Sequence, residues 1–342
     1  MSSFIEAEEF IRLSSHIPIV DVRSPIEFAK GHITKAINIP LFSDEQRVVV
    51  GIKYKQEGQQ AAIITGLELI GSSFADKCKE ALKIAKNKEL LIHCWKGGLR
   101  SESMAWLFET IGIKTYILKG GYKSYKSYIR KSWETPFKVI VLGGYTGSGK
   151  TEILHALQRK NQQIIDLEKL AHHKGSAFGA LGQEEQPTNE QFENDLYDVW
   201  SLTNHHQYLW LEDESQSIGR VRLPDLFFET MNNAPLIRIQ LSHEIRIHRL
   251  VNEYACFNKE QLSLVINKIS KKIGSLLAKN MIETLYKEDF AIVASLLLEY
   301  YDNTYEYSIS KRKNKQFQCV TLPNDNADGN ALLMMESIKN IG

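Results

Sequence analysis

Two short segments of this chain carry residue types with chemistry of their own. The first is His93–Ser101, HCWKGGLRS. A cysteine there follows an apolar run, and Gly97 and Gly98 let the next residues curl so that their N–H groups point inward. Arg100 falls where a helix pattern begins and the helix dipole is positive. Such a concave nest binds an oxyanion and favours a thiolate at Cys94, which is nucleophilic at neutral pH where a serine needs a base. Cys78, Cys256 and Cys319 lack such surroundings and read as core or incidental thiols. The second segment is Gly144–Thr151, GYTGSGKT, a full G-x-x-x-x-G-K-T match between an apolar strand run and a helix-forming run. Backbone N–H groups around Gly147, Ser148 and Gly149 would cradle a diphosphate. Lys150 would add a point charge, and the Thr151 hydroxyl could hold Mg²⁺. ATP, GTP or any other diphosphate satisfies the same groups.

Further acids follow in QYLWLEDES, Gln207–Ser215, where Asp213 reads as a Walker-B-type residue at a strand end. No set of residues with metal-ligand spacing stands out. HEIRIH, His243–His248, misses the H-E-x-x-H pattern by one residue, so its histidines point about 140° apart around a helix. None of the four cysteines form C-x-x-C.

These segments need elements to hold them. Ile17–Val22, Ala36–Leu41, Glu89–His93 and Tyr116–Leu118 read as strands. Glu27–His32, Ala75–Lys86 and Ser101–Thr110 read as helices between or after them. Strands alternating with helices imply a parallel α/β sheet. Pro136 interrupts a basic, aromatic stretch at Lys119–Lys138, and a new strand starts at Phe137. A helix is expected from about Gly149 and a strand near Leu236–Leu241, with helices beyond. The expected division is 1–134, a first α/β domain; 135–240, a phosphate-binding α/β domain; and 241–342, a helical C-terminal part.

Composition sets the class. The chain has 342 residues with 42 Lys and Arg against 41 Asp and Glu, a net charge of +1. Hydrophobic residues make up 43% and charged residues 24%, which excludes a disordered or collagen-like chain. Four cysteines in a chain of this length do not suggest a disulfide scaffold, and reduced cytoplasmic thiols are expected. No secretory signal and no membrane span are expected. The near-neutral sum hides opposite regions. Leu181–Ser215 holds nine acids and no Lys or Arg, whereas Arg238–Lys279 holds eight bases and three acids. The basic run, and the interleaved bases and aromatics of Lys119–Lys138, read either as packed helices or as surfaces that contact RNA phosphates and bases.

DVRSPIEFAKGHITKAINIPL, Asp21–Leu41, together with the Cys94 loop, resembles the rhodanese family over the first 125 or so residues. The loop also matches the tyrosine-phosphatase pattern H-C-x-x-G-x-x-R-S, so it does not separate sulfur or selenium carriage from phosphate chemistry. A rhodanese-like part followed by a P-loop part resembles the tRNA 2-selenouridine synthase family. The segments that carry the likeness are VVVGIKYKQEG (Val48–Gly58), the Cys94 loop, GGYK (Gly120–Lys123) and GYTGSGKT. They continue through DLEKLAHHKGSAFG (Asp166–Gly179), QFEN (Gln191–Asn194), LEDESQSIG (Leu211–Gly219) and LEYYDNTY (Leu298–Tyr305). Ile52 and Lys174 depart from residues usual in that family and lie outside the two chemical loops.

The resemblance implies an enzyme that converts wobble 2-thiouridine in tRNA to 2-selenouridine through S-geranyl-2-thiouridine. Geranyl diphosphate and selenophosphate are the implied co-substrates. Cys94 is then expected to carry selenium as a perselenide, with the Gly97 and Gly98 amides and Arg100 on the donor phosphate. Gly144, Gly147, Ser148, Gly149, Lys150 and Thr151 would hold the geranyl diphosphate, and Asp213 would assist a Mg²⁺. No further cofactor is expected. The expected partners are the anticodon arm of tRNA and, transiently, a selenophosphate-supplying enzyme, with no membrane. Two other readings stay open: a rhodanese-fold phosphatase fused to a nucleotide-binding domain, and a non-catalytic nucleotide-gated tRNA-binding module.

Overall fold

The computed structural model describes residues 3–314 and 317–338. The chain forms two compact units, Met1–Thr135 and Pro136–Gly342. The five strands of the first unit are β1 (Ser3–Ile5), β2 (Ile19–Asp21), β3 (Ile37–Asn38), β4 (Glu89–His93) and β5 (Lys114–Leu118). They form one parallel sheet in the order β1-β5-β4-β2-β3. β4 lies at its centre and is buried from Leu90 onward, as expected for a strand covered on both faces. One core cluster joins Val20, Ile92, Met104 and Phe108. Cys94 therefore emerges at the carboxyl end of the central strand, where parallel sheets place their sites.

Three anticipated strands are shorter or longer than their apolar runs, and of Ile17–Val22 only Ile19–Asp21 is strand. Ala36–Leu41 yields only the two residues of β3, although Ile39 N and Leu41 N still donate to Asp21 O and Val22 O and Ala36, Ile39 and Leu41 bury their side chains. β5 begins two residues before Tyr116. The helices Asp44–Glu57 and Gln59–Ile70 carry no clear amphipathic signal: Val48, Ile52, Ile64 and Leu67 are exposed. Ser43 opens the first of them, accepting from Gln46 N while the Gln46 side chain caps Ser43 N.

In the second unit, β6 (Lys138–Gly144), β7 (Gln163–Ile164), β8 (Tyr208–Glu212), β11 (Leu236–Gln240) and β12 (Phe317–Thr321) form a parallel sheet in the order β12-β11-β6-β8-β7. A short antiparallel pair, β9 (Ser217–Ile218) and β10 (Val221–Arg222), lies apart. The region 241–342 belongs to this second unit and is not helical throughout. Its last described residues return as β12, which pairs with β11 at the sheet edge, and the helix Ala327–Ser337 packs on the same core through Ala331 and Met334. A second core, built on Ile266, Met281, Leu285 and Val293, joins the helices Lys259–Ile273, Ser275–Tyr286 and Phe290–Lys311. Among the described residues no helix is long and apolar enough to cross a membrane.

Candidate active sites

The Cys94 loop links β4 to the helix Leu99–Thr110. Cys94 is 3% exposed, and its Sγ lies 3.4 Å from Ser101 Oγ, which in turn donates to Gly98 O at 2.9 Å. The turn Gly120–Gly121 clamps the loop from beside β5. Tyr122 N donates to Cys94 O at 2.8 Å, and Lys123 N donates to Trp95 O at 3.0 Å. Gly97 has φ +65°, and a Cβ there would meet Leu118 O at 2.4 Å and Gly121 N at 2.8 Å. A side chain at 97 would therefore push the two turns apart and open the loop.

The rhodanese-like signature does structural work beneath this loop. Arg23 and Asp21 form a buried ion pair at 2.6 Å, Arg23 also donates to Gly31 O, and its guanidinium lies 4.0 Å from the Tyr122 ring centroid. His93 is fully buried, and burial drives its imidazole down to about 4 against the attraction of Asp21. The ring is neutral at pH 7 and adds no positive charge beside Cys94. Arg100 departs from the expected role. Its guanidinium donates to Glu27 at 2.7 Å, and that pairing holds the Glu27 carboxyl below its usual range against the opposing effect of burial.

The phosphate loop follows β6 and runs into the helix Lys150–Arg159. Gly144, Gly147, Ser148, Gly149, Lys150, Thr151 and Asp213 all line one cleft of about 1140 Å³. Ser148 Oγ is buried without a hydrogen-bond partner, and Lys150 Nζ donates to Gly144 O at 3.2 Å. Three features therefore prepare the loop for an anion: an unspent hydroxyl, a cation and the amides of a helix start.

Asp213 is not the acid that faces this loop. Its Oδ1 accepts from Arg312 at 2.8 Å and its Oδ2 from Tyr305 Oη at 3.0 Å, and Tyr305 Oη accepts from Gly144 N at 2.9 Å. Asp213 thus braces the end of β6 onto the helix Phe290–Lys311. The acids facing Lys150 are Glu168, Glu212 and Glu214, whose carboxylate oxygens lie within 4.8 Å of one another. Glu212 ends β8, and a tight turn in which Glu214 N donates to Glu212 O at 2.9 Å follows, with the Asp213 side chain taken up by Arg312 and Tyr305. Glu168 comes from DLEKLA, where Asp166 caps the short helix by accepting from Lys169 N at 2.8 Å. Gly175 of GSAFG sits against the group: a Cβ there would lie 2.8 Å from Glu168 Oε1 and Glu214 Oε2.

Burial and mutual repulsion push all three carboxyls up to about 8, with Lys150 pulling the other way. Glu212 is 1% exposed and its Oε1 has no hydrogen-bond partner. An orphaned oxygen within three repelling carboxylates beside Thr151 suits a divalent cation, so the donor set fits Mg²⁺. Thr151, Glu168, Glu212 and Glu214 would hold it, where the sequence pattern had pointed to Asp213.

The basic run Arg238–Lys279 divides in two. Arg238 is buried and paired with Glu306. Arg246 pairs with Asp302 at 2.9 Å and donates to Thr146 O at 2.9 Å. Arg249 pairs with Glu152 and Asp325, and Lys259 with Glu288. Lys268, Lys271, Lys272 and Lys279 remain exposed. The aromatics of Lys119–Lys138 mostly face inward: Tyr122, Tyr125 and Trp133 are at most 4% exposed, so they pack the first unit and are not platforms for bases.

A parallel-sheet unit with a cysteine loop, followed by a P-loop unit, defines a rhodanese-like domain fused to a phosphate-binding α/β domain. The rhodanese-like domain family matches residues 6–128, and the tRNA 2-selenouridine synthase AAA domain matches residues 137–321. A tRNA 2-selenouridine synthase of Sulfurovum sp. is 36% identical over 337 residues, covering 88% of this chain and 91% of the relative. That of Shewanella woodyi is 36% identical over 344 residues, covering 89% and 91%. Among solved structures, a rhodanese-related protein from Thermoplasma volcanium covers 37% of this chain and 93% of its own, at 19% identity and a TM-score of 0.24. The chain belongs to the tRNA 2-selenouridine synthase family, whose name places it in tRNA modification.

Proposed function

We propose that this chain converts wobble 2-thiouridine to 2-selenouridine in tRNA, through S-geranylation at the P-loop and selenium exchange at the Cys94 loop. The observation that carries the reading is the pairing of two anion-binding loops of different chemistry in one chain. One has a buried cysteine beside Ser101 on a glycine-rich turn into a helix, and the other has a cation and an unspent hydroxyl.

In the first step the 2-thiouridine sulfur bonds to C1 of geranyl diphosphate as the C1–O bond breaks. The electron pair leaves with diphosphate, and the uridine loses its N3 proton. The amides at Gly147–Gly149 and Lys150 stabilise the charge that develops on diphosphate, and no nucleotide hydrolysis is required. Mg²⁺ at Thr151 and the three glutamates, when bound, supplies further charge neutralisation of that leaving group. In the second step selenium bonds to C2 and geranyl thiolate leaves, while water cleaves the Se–P bond to give phosphate.

Selenium keeps the selenide oxidation level from selenophosphate to product, so the exchange is redox-neutral. This narrows the carrier role of Cys94. A perselenide lies two electrons higher and would need an added redox partner, whereas a donor held on the Gly97 and Gly98 amides beside Cys94 does not. Arg100 joins that donor site only by exchanging its Glu27 partner. Lys268, Lys271 and Lys272 are exposed cations of that run that could meet tRNA phosphates, and Lys279 beside them pairs with Glu283.

Nucleoside mass spectrometry of tRNA from cells lacking the gene and carrying variants tests the reading. Cys94→Ala is expected to accumulate S-geranyl-2-thiouridine without 2-selenouridine. Lys150→Ala is expected to lose both by more than tenfold, and intact geranylation in that variant would refute the P-loop assignment. Phosphate release from an aryl phosphate, with tRNA unchanged, would favour the phosphatase.

A further inference from the structure

The P-loop cleft continues into a second, apolar pocket. Both are lined by Thr146, Ser176, Leu250, Tyr254 and Tyr301, which form the mouth between them. Beyond the mouth the walls are Ile266, Leu285, Val293, Ala294 and Leu297, with other apolar side chains from the same helices. The polar atoms at the mouth are already engaged. Tyr301 Oη accepts from Ala177 N at 3.2 Å, and Ser176 hydrogen-bonds to both phenols. A nucleotide base needs donors and acceptors that these walls do not offer, whereas a hydrocarbon needs only the walls.

We infer that this pocket holds the hydrocarbon tail of the diphosphate bound on the P-loop and sets its chain length, an inference that rests on the geranyl diphosphate reading above. The site has the shape of an amphiphile: a cationic, amide-lined cradle at Gly147–Thr151, two aromatic rings at the junction, and a dry end among helices. The junction rings add a second contribution. Tyr254 and Tyr301 stand between the cradle and the apolar walls, and an aromatic face attracts positive charge. Leu250 reaches the cradle itself, since a Cβ at Gly147 would lie 3.4 Å from Leu250 Cγ. Head and tail sites are therefore fixed to one another through the helix His243–Tyr254.

Calorimetric titration of the full chain with inorganic, dimethylallyl, geranyl and farnesyl diphosphates tests this. The wild type is expected to bind geranyl diphosphate at least about tenfold more tightly than inorganic diphosphate, since each buried methylene adds to affinity. Ala294→Phe, which fills the pocket, is expected to remove that advantage while inorganic diphosphate binds as before. Leu285→Ala, which lengthens it, is expected to shift preference from geranyl toward farnesyl diphosphate. Should Ala294→Phe fail to fold, the Leu285→Ala preference decides. Unchanged chain-length preference, or a wild type that geranylates tRNA yet binds geranyl and inorganic diphosphate equally, overturns the pocket and leaves the proposed function standing. A wild type that binds inorganic diphosphate but neither binds nor uses geranyl diphosphate overturns both.

Discussion

Neighbouring acids at the end of one strand have opposite fates in this protein. Asp213 is held by Arg312, whose side chain is 6% exposed, and by Tyr305. Asp213→Asn leaves that guanidinium buried and uncompensated, and the expected loss is about 3–5 kcal/mol of stability, measured by urea unfolding. Glu212 carries no such partner. Burial and mutual repulsion push its carboxyl, with those of Glu168 and Glu214, up to about 8 in the folded chain, well above the usual carboxylate range of about 4. The folded state therefore binds more protons than the unfolded state between those values, and stability falls as pH rises through that window. Thermal melts between pH 5 and 9 are expected to show this decline, and Glu212→Gln is expected to flatten it. At the alkaline end Mg²⁺ is expected to raise the wild-type Tm more than that of Glu212→Gln. A variant that responds to Mg²⁺ as strongly as the wild type would remove Glu212 from the cation set.

Two turns set the geometry of the first site. The Cys94 loop is held against Gly120–Gly121 by the amides of Tyr122 and Lys123, and Gly97 fits between because it has no Cβ. Gly97→Ala is expected to cost about 1–3 kcal/mol and to lower selenation far more than geranylation. Mass spectrometry of tRNA distinguishes this from a general loss of folding, in which both products fall together. The helix Gly121–Ser132 illustrates why its own role was ambiguous. Its tyrosines and lysines share the spacing of an RNA-stacking surface, yet Tyr122 and Tyr125 lie under the sheet. A helical face declares that it is apolar or aromatic, and only the neighbouring layer decides whether that face is covered.

The molecule is built on independent cores, one around Val20 and Ile92 and others beyond Pro136. Scanning calorimetry is expected to resolve more than one transition. Asp21→Asn, which strands the buried Arg23, is expected to lower only the transition of the first unit. A uniform shift of the whole profile would argue against separable units. Both loops, the parallel α/β class and the division near Pro136 were legible in the chain alone. Glycines, a cysteine and a lysine at loop spacing depend on local backbone geometry, which local sequence encodes. The cluster of Glu168, Glu212 and Glu214, the occupied Arg100 and Arg246, the strand β12 and the apolar pocket were not legible. Each depends on which distant side chain arrives opposite, as Glu168 does beside Glu212 and Arg312 beside Asp213. Strand alternation limits the choice to one of two faces, and packing of the whole chain makes it.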